Sequence, residues 1–88
     1  MKATATKENE TKMGVGSLVR YKEIIDKGDE TSRFVITEDY GDGRVVVKEL
    51  TQLTAFGYAT YTRRKADFTL VQEQVTEEDI MEISIEMA

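Results

Sequence analysis

The sequence predicts a mainly β fold: a small antiparallel barrel of five strands followed by a short C-terminal amphipathic helix. Three observations predict it. Runs rich in β-branched and aromatic residues recur between Gly/Asp/Ser clusters about every eight to twelve residues. A single apolar periodicity of a different kind, at helical spacing, is confined to the last dozen or so residues. The chain is 88 residues long, enough for one compact core that buries about 60–65% of the unfolded surface, which suits a small barrel better than a sandwich of two sheets.

Residues 1–12, "MKATATKENETK", hold few apolar side chains to offset the entropy of ordering, and a mobile tail is expected there. In "GSLVRYKEII" (16–25) Val19 and Tyr21 alternate with Arg20 and Lys22, the period of a half-buried first strand. "DKGDETS" (26–32) reads as a loop, and "RFVITE" (33–38) as a second strand built on Phe34, Val35, Ile36 and Thr37. Asp42-Gly43 suits a tight hairpin turn with positive φ at both central positions, and "VVVKEL" (45–50) is its return strand.

"TQLT" (51–54) is expected to turn the chain into a fourth strand, "AFGYATYT" (55–62), bent at Gly57 and anchored by an inward Phe56. After the turn "RRKA", "DFTLV" (67–71) closes the barrel. The segment "TEEDIMEISIEMA" (76–88) has two readings. As a helix it begins at a capping box of Thr76 and Asp79, carries acids in its first turn, and sets an arc of Ile80, Met81, Ile83, Ile85 and Met87 against Glu78, Glu82 and Glu86. As a sixth strand, Met81, Ile83, Ile85 and Met87 alternate with Glu82, Ser84 and Glu86. The helix is preferred because a strand has no use for the cap. Its apolar face is expected on an open end of the barrel. The domain plan is thus a disordered tail at 1–12, a barrel at 13–72 and an acidic helix at 73–88.

Composition removes whole classes of chemistry. The chain has no cysteine and no histidine, so disulfides, thiolate nucleophiles, thiolate or imidazole metal sites and the usual general base are all absent. Ser17 and Ser32 lack a base to activate them, and Glu38, Asp39, Glu49 and Asp67 show no spacing that selects a catalytic pair. The acids of "EDYGD" (38–42) run directly into Val45-Val46-Val47 and do not continue as a calcium loop. The expectation is a protein that is not an enzyme and holds neither metal nor cofactor. No run of about 18 apolar residues offers a membrane span, and the N-terminus lacks the apolar core of a signal peptide; the expected compartment is the cytoplasm.

The net charge is −5. Residues 1–12 carry three Lys and two Glu, residues 13–72 nine cations and nine anions, and residues 73–88 six acids and no cation. The folded middle is neutral, and the negative excess belongs to the C-terminus.

The runs "VGSLVRYKE" (15–23), "RFVITEDYGDGRVVVKEL" (33–50) and "YTRRKADFTLV" (61–71) resemble the SH3-like small barrels of the KOW and Tudor type: an opening strand of Gly-x-x-Val-Arg-Tyr character, a central hairpin and a short closing strand. The likeness covers residues 13–72 and implies architecture. The chain departs from nucleic-acid-binding KOW units in its acidic first loop. For a Tudor-like aromatic cage the candidate walls are Tyr21, Tyr40, Phe56, Tyr58 and Tyr61.

"FGYATYTRRK" (56–65) is the candidate contact surface, because rings can stack on bases while cations follow phosphates. Strand alternation nevertheless puts Tyr58 and Tyr61 on opposite faces. The nominated rim is Tyr58, Tyr61, Arg63, Arg64 and Lys65, joined by Tyr21 and Tyr40 if the fold brings them near. The functions expected of the protein are a protein-interaction or accessory module with an unknown protein partner, a weak nucleic-acid binder using the same rim, or an acidic inhibitor whose C-terminal acids engage a nucleic-acid-handling protein. The C-terminal helix is either a lid or a handle for a partner, and its apolar face admits a monomer or a homodimer.

Overall fold

The computed structural model describes residues 12–87; the tail expected at 1–12 falls, but for Lys12, outside them. The fold is mainly β. Strands β1 (Leu18–Tyr21), β2 (Phe34–Asp39), β3 (Arg44–Thr54), β4 (Gly57–Arg64) and β5 (Phe68–Gln72) form one open sheet in the order β4-β3-β2-β1-β5, with every neighbouring pair antiparallel. The helix α1 (Glu77–Met87) follows. Short 3-10 turns occupy Lys27–Glu30 and Lys65–Asp67.

Adjacent apolar residues decide the packing. Leu18 and Val19 are neighbours, as are Phe34, Val35 and Ile36, and successive strand residues face opposite ways, so β1 and β2 are apolar on both faces. On the inner face Val19, Phe34, Ile36, Val45, Val47 and Phe68 pack around Met13. The sheet curls enough for the Phe68 ring, on edge strand β5, to lie 5.6 Å from that of Phe34 on β2. On the outer face Leu18, Val35 and Leu50 are covered by Val75, Ile80 and Ile83. The helix reading of the C-terminal segment is therefore the right one, but α1 lies over the outer face of the sheet and does not close a barrel end.

The chain between β5 and α1 is held by the turn before β1. The buried Ser17 hydroxyl donates to the Glu73 carbonyl at 2.7 Å and accepts from the Gly14 amide at 3.0 Å. The Val75 amide donates to the Gly16 carbonyl at 2.9 Å. Gly16 has φ +91°, a left-handed backbone shape that favours glycine.

Several local expectations are corrected. The first strand stops at Tyr21 and leaves Ile24 and Ile25 exposed in the following loop. The β2–β3 hairpin is real, but positive φ falls on Gly41 and Gly43 and not on Asp42. Asp39 and Asp42 build the turn by accepting from the amides two residues on, Gly41 at 2.9 Å and Arg44 at 3.1 Å. Residues 51–54 do not turn. They extend β3, whose register against β4 shifts between Lys48 and Leu53, and the turn comes at Ala55–Phe56 with Gly57 at φ +105° just after it. Phe56 is consequently fully exposed at a hairpin tip and anchors nothing.

The helix cap is the one expected: the Asp79 carboxylate accepts from the Thr76 amide at 2.9 Å while the Thr76 hydroxyl accepts from the Asp79 amide at 3.1 Å. The Thr76 amide and hydroxyl hold the Asp79 carboxyl below its ordinary range. A depressed carboxylate contributes stability that is complete above about pH 5 and fades as pH falls through the folded value. The urea midpoints of the protein and of Asp79→Ala are expected to differ at neutral pH and to converge on acidification through the carboxylate range; a difference independent of pH contradicts the cap.

Candidate functional site

A cleft of about 460 Å³ opens between the loop after β1 and the end of β4. Tyr21 lines it from the end of β1, Glu23 and Ile25 from the loop, Arg63 and Arg64 from β4, and Asp67 from the 3-10 turn. Its floor is set by the Lys22 amide, which donates to the Asp67 carbonyl at 3.0 Å. Tyr21 is fixed from beneath, its ring stacked on Phe68 at 5.1 Å and edge-on to Phe34 at 5.0 Å. Ile25, by contrast, is 82% exposed. The loop that carries it is pinned by the Asp29 carboxylate, which accepts from the Ile25 amide at 3.2 Å and the Asp26 amide at 3.0 Å. A shallower hollow of about 270 Å³ continues past Ile25 to Asp26 and Asp29.

The seven nominated residues divide among four places. Tyr21, Arg63 and Arg64 meet at the cleft. Tyr61 lies below it against the inner core, with the Arg63 guanidinium 4.9 Å above its ring. Tyr40 and Lys65 sit at the β2–β3 turn, where Arg44 lies 5.0 Å over the Tyr40 ring and Lys65 pairs with Asp39 at 3.1 Å. Tyr58 is on the far side of the sheet: its hydroxyl meets the Ser84 hydroxyl of α1 at 2.7 Å, and Lys48 lies 5.3 Å over its ring. Tyr58, Tyr61, Arg63, Arg64 and Lys65 do not share one rim, because the odd spacing from 58 to 61 sends the two tyrosines through opposite faces; of the two conditional additions, Tyr21 joins Arg63 and Arg64 and Tyr40 does not.

No family model matches the chain, and comparison with curated proteins and with solved structures found no match.

One ion pair lies in the cleft and two more lie at the β2–β3 turn. Arg64 bridges to Asp67 at 3.1 Å, Lys65 to Asp39 at 3.1 Å and Arg44 to Asp42 at 2.8 Å. Asp39 is held below its ordinary range by the Gly41 amide and Lys65, and Asp42 by the side chain and amide of Arg44. Three cations of the basic stretch and hairpin thus already face carboxylates, which leaves little excess positive potential for a phosphate chain. Exposed pairs of this kind add little to stability and act mainly to neutralise and orient. Asp39 pairs with Lys65, Asp67 with Arg64, and Glu49 accepts from the Thr51 hydroxyl at 3.0 Å. Among the described residues no three Asp or Glu gather as a metal-binding group.

Sequence reasoning missed Ile25. The signal was present, since Ile24-Ile25 is an apolar pair in front of a polar loop, and strand parity can bury only one of two neighbours on a given face. It also missed the position of Glu49, a carboxylate only 9% exposed on the inner face of β3. That charge, followed by burial, raises the Tyr61 phenol above its ordinary pKa. In an ultraviolet titration of phenolate, Glu49→Gln is expected to bring one tyrosine down toward the ordinary range; an unchanged titration separates Glu49 from Tyr61.

Proposed function

We propose that the protein is a non-enzymatic protein-interaction module of the cytoplasm that receives an extended segment of a partner in the cleft between the β1–β2 loop and the end of β4. The observation that supports this reading most is Ile25: a large apolar side chain left 82% exposed beside a buttressed aromatic ring, in a loop whose backbone is tied down. Rigid aromatic surface next to an exposed aliphatic and arginines is the composition of binding hot spots. The surrounding ion pairs favour a peptide over a nucleic acid, because a partner gains only local polar contacts and no strong field. The absence of histidine and cysteine supports binding without catalysis.

The architecture is read as SH3-like, on the opening turn before β1, the central β2–β3 hairpin and the short closing strand β5. That fold serves many functions, so the proposal rests on the cleft and not on the fold.

A displayed library of random linear peptides is the test, with the selected sequences measured against Ile25→Ser and against Arg63→Ser with Arg64→Ser. Selected peptides are expected to shift amide resonances of residues 21–25 and 63–67, and Ile25→Ser to weaken them about tenfold, near 1.4 kcal/mol. Selection that yields no peptide dependent on these residues contradicts the reading. Short single-stranded and duplex oligonucleotides at low salt form the second arm: saturable binding that weakens steeply with salt replaces the protein partner by nucleic acid.

A further inference from the structure

The helix has a second apolar stripe that the sheet does not use. Ile80 and Ile83 pack inward on the Leu18, Val35 and Leu50 cluster, yet Met81 is 62% exposed and Ile85 71% exposed. These two stand four residues apart and so lie one above the other along the helix. At 100° per residue Glu78 and Glu82 border the stripe on one side, and Glu77 stands at its N-terminal end; all three are exposed. The segment 73–88 contains six acids and no cation. The contact of Tyr58 with Ser84 at 2.7 Å brings β4, just after the β3–β4 hairpin tip, to α1. Phe56, fully exposed, is two residues from Tyr58.

From this arrangement we propose that the outward stripe of α1, with Phe56, is a docking surface for a partner protein that offers an apolar groove rimmed by lysine and arginine. Two anchors at i and i+4 are the spacing by which an amphipathic helix seats in a groove. The rim chemistry identifies the occupant. A second copy of this chain would set Glu78 and Glu82 against like charges on a protein of net charge −5, whereas a basic rim complements them and speeds encounter. The helix binds while docked on its own sheet, since the residues that hold it there, Ile80 and Ile83, are not those it presents.

The probe is a synthetic leucine/lysine amphipathic helical peptide whose apolar face is bordered by lysines, titrated into the isotopically labelled full chain. Expected are saturable shifts centred on residues 78–85 and on Phe56, and at least tenfold weaker binding for Met81→Ser with Ile85→Ser, which leaves every charge in place. The rim variant Glu78→Lys with Glu82→Lys keeps the stripe and is also expected to lose the peptide. Both changes are at exposed positions, and an unchanged amide spectrum for β1, β2 and β3 verifies the fold. The proposal is overturned if affinity is the same without Met81 and Ile85, if the shifts fall elsewhere, or if no saturable binding occurs. It is equally overturned if the chain is a dimer in solution that Met81→Ser with Ile85→Ser turns into a monomer, for then the stripe belongs to a second copy.

Discussion

The structure depends on the need to cover both faces of β1, β2 and β3. Two adjacent apolar residues on a strand cannot share a face, and this chain has such neighbours in each of the strands that form the middle of its sheet. The inner face is covered by the curl of the sheet itself, which brings Phe68 from the edge to Phe34 in the centre. The outer face has no second sheet. Leu18, Val35 and Leu50 are covered from the C-terminus, where burial of a side chain of this size contributes about 1.5–3 kcal/mol.

This requirement explains features that look unrelated along the chain. The Gly-Val-Gly-Ser turn before β1 is shaped to catch residues 73–75, so the helix starts beside the face it must cover. The capping box of Thr76 and Asp79 sets the first turn at that point. Ser84 then ties the later turns to Tyr58 of β4. With α1 committed to the outer face, the cleft at Tyr21 and Ile25 is lined by no residue of the helix.

Much of this was legible in the sequence, and the failures have a common cause. Strand identities followed from β-branched and aromatic runs, and the helix from Thr76-x-x-Asp79, because each depends on local chemistry alone. Turn positions were less legible. Residues 51–54 and 55–57 offer competing turn chemistry, and the choice was made by how far β3 could extend along β4 past its register shift, a non-local matter. That one displacement moved Phe56 from an expected core position to an exposed tip. The nominated site was legible only in part for the same reason: Arg63 and Arg64, expected in a turn, extend β4, and opposite them stand Tyr21, held by Phe34 and Phe68, and Ile25, in a loop held by Asp29. The ion pairs that neutralise the basic stretch come from Asp39, 26 residues away in sequence, as well as from the nearby Asp67.

The central claim is that α1 and the sheet form one cooperative unit, because neither the outer face nor the apolar side of the helix is satisfied alone. Native-state hydrogen exchange measures this directly, since it separates local opening from global unfolding. Amides of Ser84 and its neighbours in the docked turns of α1 are expected to exchange with the same opening free energy and denaturant dependence as those of Val35 and Ile36 in β2. Exchange of the whole helix by a separate, lower-energy opening, with the sheet still protected, would contradict the account and make α1 a detachable appendage.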